Sequence, residues 1–448
     1  MNRAQRRNVA KSRNPRDIAA LGEHYQHNGQ TRKAEEAYRE AIARDPSCVE
    51  AVNNLGQILQ ERGRISEATA QFIRARELRP DDVRIAINLA RAFAAQNRFH
   101  DAAALFRQAV SLDPRFAEAR FGLALALSDL GEHAQAEPYY RQALQIDPTN
   151  PTVRIYLGLT LAAQGKIADA HAQAEILAQA VTAPGFPCKA FGILLSRIGC
   201  PDDARTCFEA HLLRHPGDAD EVAMLLAAVG GALPERASDR QLAKIYTARA
   251  DQWDHGAAGA IGYQGHRLVA AALEELGVAH AGTVIDLGCG TGLVGELLRT
   301  KCDRLIGIDL SEPMLAQARQ KKIYDELDRA DLLEWLRRRE GPYDIIVSAA
   351  TLIHFGDLNA VFAAAAKCLH PDGRFAFTLF PNDDHPDAVA VASLDGLGQT
   401  GCFRHGTDHV TQTAAANGLA VELMRRAPHE YGNGSPIEGL VVVLGRAG

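Results

Sequence analysis

The sequence predicts a multidomain chain, with an all-α array of stacked helical hairpins in the first half and an α/β domain on an open, mostly parallel sheet in the second. Three observations carry this reading. A set of residues recurs every 34 positions as far as Pro216. Beyond that point the period is lost, and short apolar runs alternate with helical segments. At 448 residues the chain is also longer than one hydrophobic core serves.

The repeating half has clear punctuation. Pro46, Pro80, Pro114 and Pro148 stand 34 apart, the register passes through Thr182, and Pro216 restores it. A turn residue recurs as Gly29, Gly63, Asn97, Gly131, Gly165 and Gly199. Gly and Asn tolerate the left-handed conformation that ends one helix and lets the next fold back. Five residues later stand Ala34, Ala68, Ala102, Ala136, Ala170 and Ala204, small enough for close helix approach. A bulky position follows as Tyr38, Phe72, Phe106, Tyr140 and Phe208, with Ala174 in the fifth unit. The first helix of each unit places Leu21, Leu55, Leu89, Leu123, Leu157 or Phe191 at one apolar site.

This pattern resembles the tetratricopeptide repeat, a 34-residue helical hairpin. The resemblance implies six repeats over residues 15–218, stacked into a superhelix with a concave groove that binds a protein or peptide. Residues 219–237 are expected to supply a capping helix and linker. Asn54 and Asn88 share one repeat position on the first helix, so they are candidate peptide-binding amides, with hydrogen bonds between repeats as the alternative. Residues 1–14 form a basic arm with no acid, expected to be flexible, with contact to a nucleic acid or acidic partner as the alternative.

The second domain is expected over residues 238–448. Strands are predicted at 283–287, 304–308, 343–348, 374–379, 420–423 and 440–444. Open sheets of this kind bind ligands at the carboxyl ends of their strands, which directs attention to the loops after Leu287, Ile308, Ala330 and Ser348. The first loop reads Val284-Ile-Asp-Leu-Gly-Cys-Gly-Thr-Gly-Leu-Val-Gly295. Gly288, Gly290 and Gly292 let the backbone turn tightly and approach a ligand. Glycine spacing alone would serve a dinucleotide equally well. Asp286 argues otherwise, because a carboxylate there repels a diphosphate and favours a cationic, phosphate-free nucleoside.

Here the sequence resembles the class I S-adenosylmethionine-dependent methyltransferases, with an acid followed by Gly-x-Gly-x-Gly. The resemblance implies a Rossmann-like sheet of seven strands and S-adenosylmethionine as cofactor. It carries Asp309, 23 residues after Asp286, over as the ribose-binding acid, with Met314 packing on the adenine. Asp331 matches the family's acceptor of the adenine amino group, Leu332 flanks the ring, and Tyr246 belongs to a lid over the cofactor. Lys322-Ile-Tyr-Asp-Glu-Leu327 and residues 436–443 look like bacterial tetratricopeptide-methyltransferase proteins. Taken singly, each acid could equally be a helix cap or a surface charge.

His354 follows the fourth strand, where the family places acceptor-facing residues, and is the candidate base or acceptor contact. His385 lies in an Asp-rich loop that either lines the acceptor pocket or is plain surface. Ser348-Ala-Ala-Thr351 replaces the Asn-Pro-Pro-Tyr type of loop, which disfavours amide and adenine amino acceptors. A small-molecule hydroxyl, carboxylate, amine or carbon acceptor remains, or a protein side chain. An adaptor whose cofactor domain is silent or regulatory is the alternative.

Composition sets the limits. Net charge of -6 and pI near 6.3 argue against a nucleic-acid binder. No apolar run approaches the roughly 20 residues a membrane helix requires. Eight cysteines without zinc-type spacing read as reduced thiols, so no metal site and a cytoplasmic location are expected.

Overall fold

A computed structural model describes residues 14–250, 253–254, 262–391, 402–432 and 435–448. The basic residues Arg3, Arg6, Arg7, Lys11 and Arg13 of the expected arm lie outside the described residues. The chain forms two compact units, one up to Ala190 and one from Phe191.

The first unit is a series of helices: α1 (Pro15–His27), α2 (Thr31–Arg44), α3 (Val49–Glu61), α4 (Ile65–Leu78), α5 (Val83–Ala94), α6 (Phe99–Leu112), α7 (Ala117–Asp129), α8 (His133–Ile146), α9 (Pro151–Ala163) and α10 (Ile167–Ala178). They pack as hairpins, α1 on α2 through α9 on α10, and each second helix packs on the first helix of the next pair. The turn residues do what their chemistry allows: Gly29, Gly63, Asn97, Gly131 and Gly165 all take positive φ, between 58° and 77°. Ala34, Ala68, Ala102, Ala136 and Ala170 are wholly buried. The glycine before the helix end has a steric reason. A Cβ at Gly56 would stand 2.5 Å from the Phe72 ring, and one at Gly22 would stand 2.6 Å from Tyr38.

Polar ties between repeats follow the same register. Glu35 and Glu137 occupy equivalent positions 102 residues apart, and both are buried. Glu35 accepts from Arg39, Arg62 and Arg64; Glu137 accepts from Arg141, Gln164 and Lys166. These donors hold both carboxyls below the usual carboxylate range, against the opposing effect of burial. Of the two intervening positions, Ala103 is apolar and Thr69 accepts from Gln96. Asn54 donates to Glu23 at 3.0 Å, and Asn88, which is buried, donates to Asn53 at 2.9 Å. Both amides thus tie neighbouring repeats together.

The second unit opens with α11 (Cys188–Arg197), whose first residues straddle the unit boundary, followed by α12 (Pro201–Arg214) and α13 (Ala219–Ala228). Gly199 again has positive φ, and Ala204 and Phe208 are fully buried. After α14 (Asp239–Arg249) and α15 (Gly265–Glu275) the sheet begins. Its strands are β1 (Ala281–Leu287), β2 (Cys302–Asp309), β3 (Glu326–Arg329), β4 (Tyr343–Ser348), β5 (Leu369–Pro381), β6 (Val389–Val391), β7 (Phe403–His405), β8 (Leu419–Gly432) and β9 (Ser435–Arg446). The intervening helices are α16 (Leu293–Leu298), α17 (Glu312–Lys321), α18 (Leu332–Arg338), α19 (Asn359–Cys368) and α20 (Thr407–Ala416).

The main sheet runs β3-β2-β1-β4-β5-β9-β8, parallel through β5, with β9 antiparallel to both neighbours. Seven strands were expected; nine are present among the described residues. The difference has a geometric cause. Pairing of β5 with β9 ends at Leu379, and the exposed edge at Phe380 and Pro381 pairs with β7, which in turn carries β6.

Strand alternation divides the core into two layers. Ile285, Leu287, Ile306 and Ile308 point to the face covered by α18, α19 and α20. Val284, Leu305, Ile345 and Val347 point to the face covered by α15 and α16. Burying each such side chain is worth about 1.5–3 kcal/mol, so the strand ends are held firmly enough to position the loops beyond them. No helix among the described residues is long and apolar enough to cross a membrane.

Candidate active site

One cleft of about 1010 Å³, counted to its open mouth, lies beyond the carboxyl ends of β1, β2, β3 and β4. Gly288, Gly290, Asp309, Met314, Asp331, Leu332, Tyr246 and His354 all line it. Asp286, Gly292 and His385 are not among the lining residues.

The glycine turn divides its work. All three glycines have positive φ: 73° at Gly288, 54° at Gly290 and 94° at Gly292. A Cβ at Gly288 would meet Thr351 Oγ1 at 2.1 Å, and one at Gly292 would meet Tyr324 at 3.1 Å. At Gly290 nothing lies within 4 Å, so this residue leaves its space open on the cleft.

Asp309 closes the end of β2 beside that opening. Its Oδ2 accepts from the Gly290 amide at 2.9 Å, and its Oδ1 accepts from Ser311 at 2.8 Å. Burial raises its pKa, and the backbone amides of Ser311, Gly290 and Leu310 oppose the shift. Ser311 caps α17, which presents buried Met314 to the cleft.

Asp286 lies behind the turn, wholly buried, one residue short of the end of β1. Tyr324 donates its hydroxyl to Oδ2 at 2.6 Å, while Oδ1 has no hydrogen-bond partner among the described residues. Burial pushes its pKa up to about 7, with Asp309 adding to the rise and the Tyr324 bond opposing it.

Asp331 serves two local partners. Its Oδ1 caps α18 by accepting from the Glu334 amide at 2.9 Å, and its Oδ2 pairs with Arg236. Arg236 also bonds Asp239 at 2.7 Å and lies over the Phe355 ring. Leu332, the next residue, is buried against the same wall.

The far wall is aromatic. Tyr246 Oη and His354 Nε2 are 2.7 Å apart, and Cys402 Sγ lies 3.9 Å from His354 Nδ1. Tyr246 meets Trp253 edge to face at 5.9 Å, and Trp253 meets Tyr263 at 6.1 Å. Asp254 bonds the Thr291 hydroxyl in the glycine turn and pairs with Lys321 at 2.7 Å. Asp251 and Gln252 of the expected lid lie outside the described residues.

Sequence reasoning missed Arg236, Thr351, Tyr324 and Cys402. Arg236 stands 95 residues before its partner Asp331, and Cys402 stands 48 after His354, so no local pattern announces either pairing. Tyr324 stands between α17 and β3, and its ring packs against Gly292 of the turn and Gly295 of α16.

Comparison with known proteins fits this division. A family described as a methyltransferase domain matches residues 284–373. Tetratricopeptide-repeat families match residues 19–83, 59–99, 87–151 and 127–182. A malonyl-[acyl-carrier protein] O-methyltransferase of Yersinia pestis is 32% identical over 182 residues, covering 40% of this chain and 62% of that protein. A trans-aconitate 2-methyltransferase of an Acidovorax species is 36% identical over 113 residues, covering 25% of this chain and 43% of that one. The chain therefore spans less than two thirds of the length of either relative. A solved structure, from the functional characterization of Pseudomonas aeruginosa pilF, is 21% identical with a TM-score of 0.39, covering 47% of this chain and 94% of its own. Residues 19–182 thus match tetratricopeptide-repeat families, and residues 284–373 in the second half match a methyltransferase domain.

Proposed function

We propose that the second unit transfers a methyl group from S-adenosylmethionine to an acceptor held in the same cleft, and that the repeats bind a protein or peptide partner. One observation carries the cofactor reading. Gly290 leaves an open cradle beside Asp309, whose carboxylate is oriented by the Gly290 and Ser311 amides. A ribose offers two adjacent hydroxyls to such a carboxylate. Met314 and Leu332 would bracket the adenine, and Asp331 would face its amino group while keeping Arg236 and the helix cap. The residues present fit a phosphate-free nucleoside. The only arginine or lysine among the described lining residues is Arg236, and both Asp331 and Asp239 engage it.

When bound, S-adenosylmethionine supplies an electrophilic methyl group. The chain's own task is to align an acceptor behind that methyl and to exclude water. His354 and Tyr246 stand on the wall where a proton would leave the acceptor.

Calorimetry on the full chain with S-adenosylhomocysteine and with NAD tests the reading. Tight binding of the first and none of the second is expected. Asp309→Ala should weaken S-adenosylhomocysteine by about tenfold or more, because hydrogen bonds to a charged group are worth about 1.5–3 kcal/mol. Retention of NAD with no response to S-adenosylhomocysteine would refute the assignment.

A further inference from the structure

We infer that the acceptor is an uncharged, ring-bearing hydroxyl compound, a phenol or an enol, rather than a carboxylic acid. This rests on the S-adenosylmethionine reading of the cleft and narrows it.

The first argument is charge. Among the described residues lining the cleft, Arg236 is the only arginine or lysine, and it is engaged by Asp331 and Asp239. Asp309 and Asp331 contribute carboxyls to the same space. His266, also on the wall, has its pKa pushed down to about 4 by burial, so it is neutral near neutral pH. A carboxylate acceptor would find no uncommitted arginine or lysine among the described lining residues to pair with, whereas a neutral hydroxyl needs none. The named relatives that act on malonyl and aconitate groups set the contrast.

The second argument is shape. Tyr246, Trp253, Tyr263 and His266 form a continuous run of rings, with centroid separations of 5.9, 6.1 and 5.4 Å and tilted or edge-on planes. A planar guest completes such an array by stacking or edge contact, each worth about 0.5–1.5 kcal/mol beyond area burial.

The third is the proton. A hydroxyl must lose its proton as its oxygen gains the methyl group. Tyr246 Oη and His354 Nε2, 2.7 Å apart on the cleft wall, provide the route. The acceptor O–H passes its proton to Tyr246 as Tyr246 passes its own to His354. The new oxygen–carbon bond forms from the acceptor's lone pair, and the carbon–sulfur pair remains on sulfur. The positive charge that begins on the sulfonium ends on the imidazole, so atoms and charge balance.

The test uses the full chain saturated with S-adenosylhomocysteine. Phenol, 2-naphthol and 9-phenanthrol are compared with trans-aconitate and malonate by calorimetry and by tryptophan fluorescence. The chain has two tryptophans, and of these Trp253 lines the cleft. At least one hydroxyarene should bind about tenfold or more tighter than either acid, a difference of about 1.4 kcal/mol. Its quenching of fluorescence should be lost in Trp253→Phe. Acids that bind as tightly as the arenes, or arenes that fail to bind while S-adenosylhomocysteine binds, overturn the inference. If S-adenosylhomocysteine itself does not bind, the cofactor reading falls and the inference falls with it.

Discussion

Replacing Asp286 by Asn should shift the stability of the cofactor-free protein, relative to the parent, increasingly upward as pH rises. In the folded protein burial pushes this carboxyl up to about 7, against 3.8 when unhindered. A group whose folded pKa is raised contributes most favourably below its unfolded value, and that contribution is lost as pH rises through the folded pKa. Here the window runs from about pH 4 to about pH 7. At about 1.36 kcal/mol per tenfold change, the full loss is about 4 kcal/mol, of which about 2–3 kcal/mol develops between about pH 5 and pH 8. Asn keeps an oxygen to accept from Tyr324 but places its amide hydrogens where Oδ1 has no partner among the described residues. That penalty, about 1–3 kcal/mol, does not vary with pH. The discriminating quantity is therefore the slope. Melting of both proteins without cofactor, followed by circular dichroism, should show the Asn variant gaining roughly 5–10 °C relative to the parent between about pH 5 and pH 8, at roughly 2–4 °C per kcal/mol. A difference that stays constant over that range would refute the reasoning.

Two further substitutions probe the cradle and the repeats. Gly290→Ala meets no atom within 4 Å and should cost only the left-handed strain, about 1–2 kcal/mol. It should still weaken S-adenosylhomocysteine by about tenfold or more, since the backbone must approach the ligand there; unchanged affinity in calorimetry would remove Gly290 from the site. Gly56→Ala drives a Cβ to 2.5 Å from the Phe72 ring and should lower the stability of the first unit by about 1–3 kcal/mol in denaturant titration. Phe72→Leu in the same chain should recover part of that loss, and strictly additive costs would mean the two residues do not clash.

The repeating half was the most legible. The residue at each turn sets a local φ, and the alanine five positions on sets a helix spacing, so both are written in short windows of sequence. What the period did not reveal was the use made of polar positions. Asn54 and Asn88 share a register that suits a peptide ladder or ties between repeats, and their amides bond Glu23 and Asn53 of neighbouring repeats. The Glu35 and Glu137 clusters had a visible period and went unread, because beyond one local arginine each their partners stand 27 and 29 residues further on.

In the second half the sequence by itself located β1, β2, β4, β5, β8 and β9, the left-handed glycine turn and the acid at the end of β2. Each depends on residues close together in the chain, where backbone sterics and strand alternation suffice. Only the tertiary structure decided that Asp286 sits behind the turn against Tyr324, that Asp331 is shared with Arg236, and that Tyr246 meets His354 across 108 positions. Those pairings join residues on separate elements, and they are fixed by how layers of buried apolar side chains bring those elements together. A hydrogen bond of that kind leaves no periodic trace in the sequence, because the distance along the chain has no bearing on it.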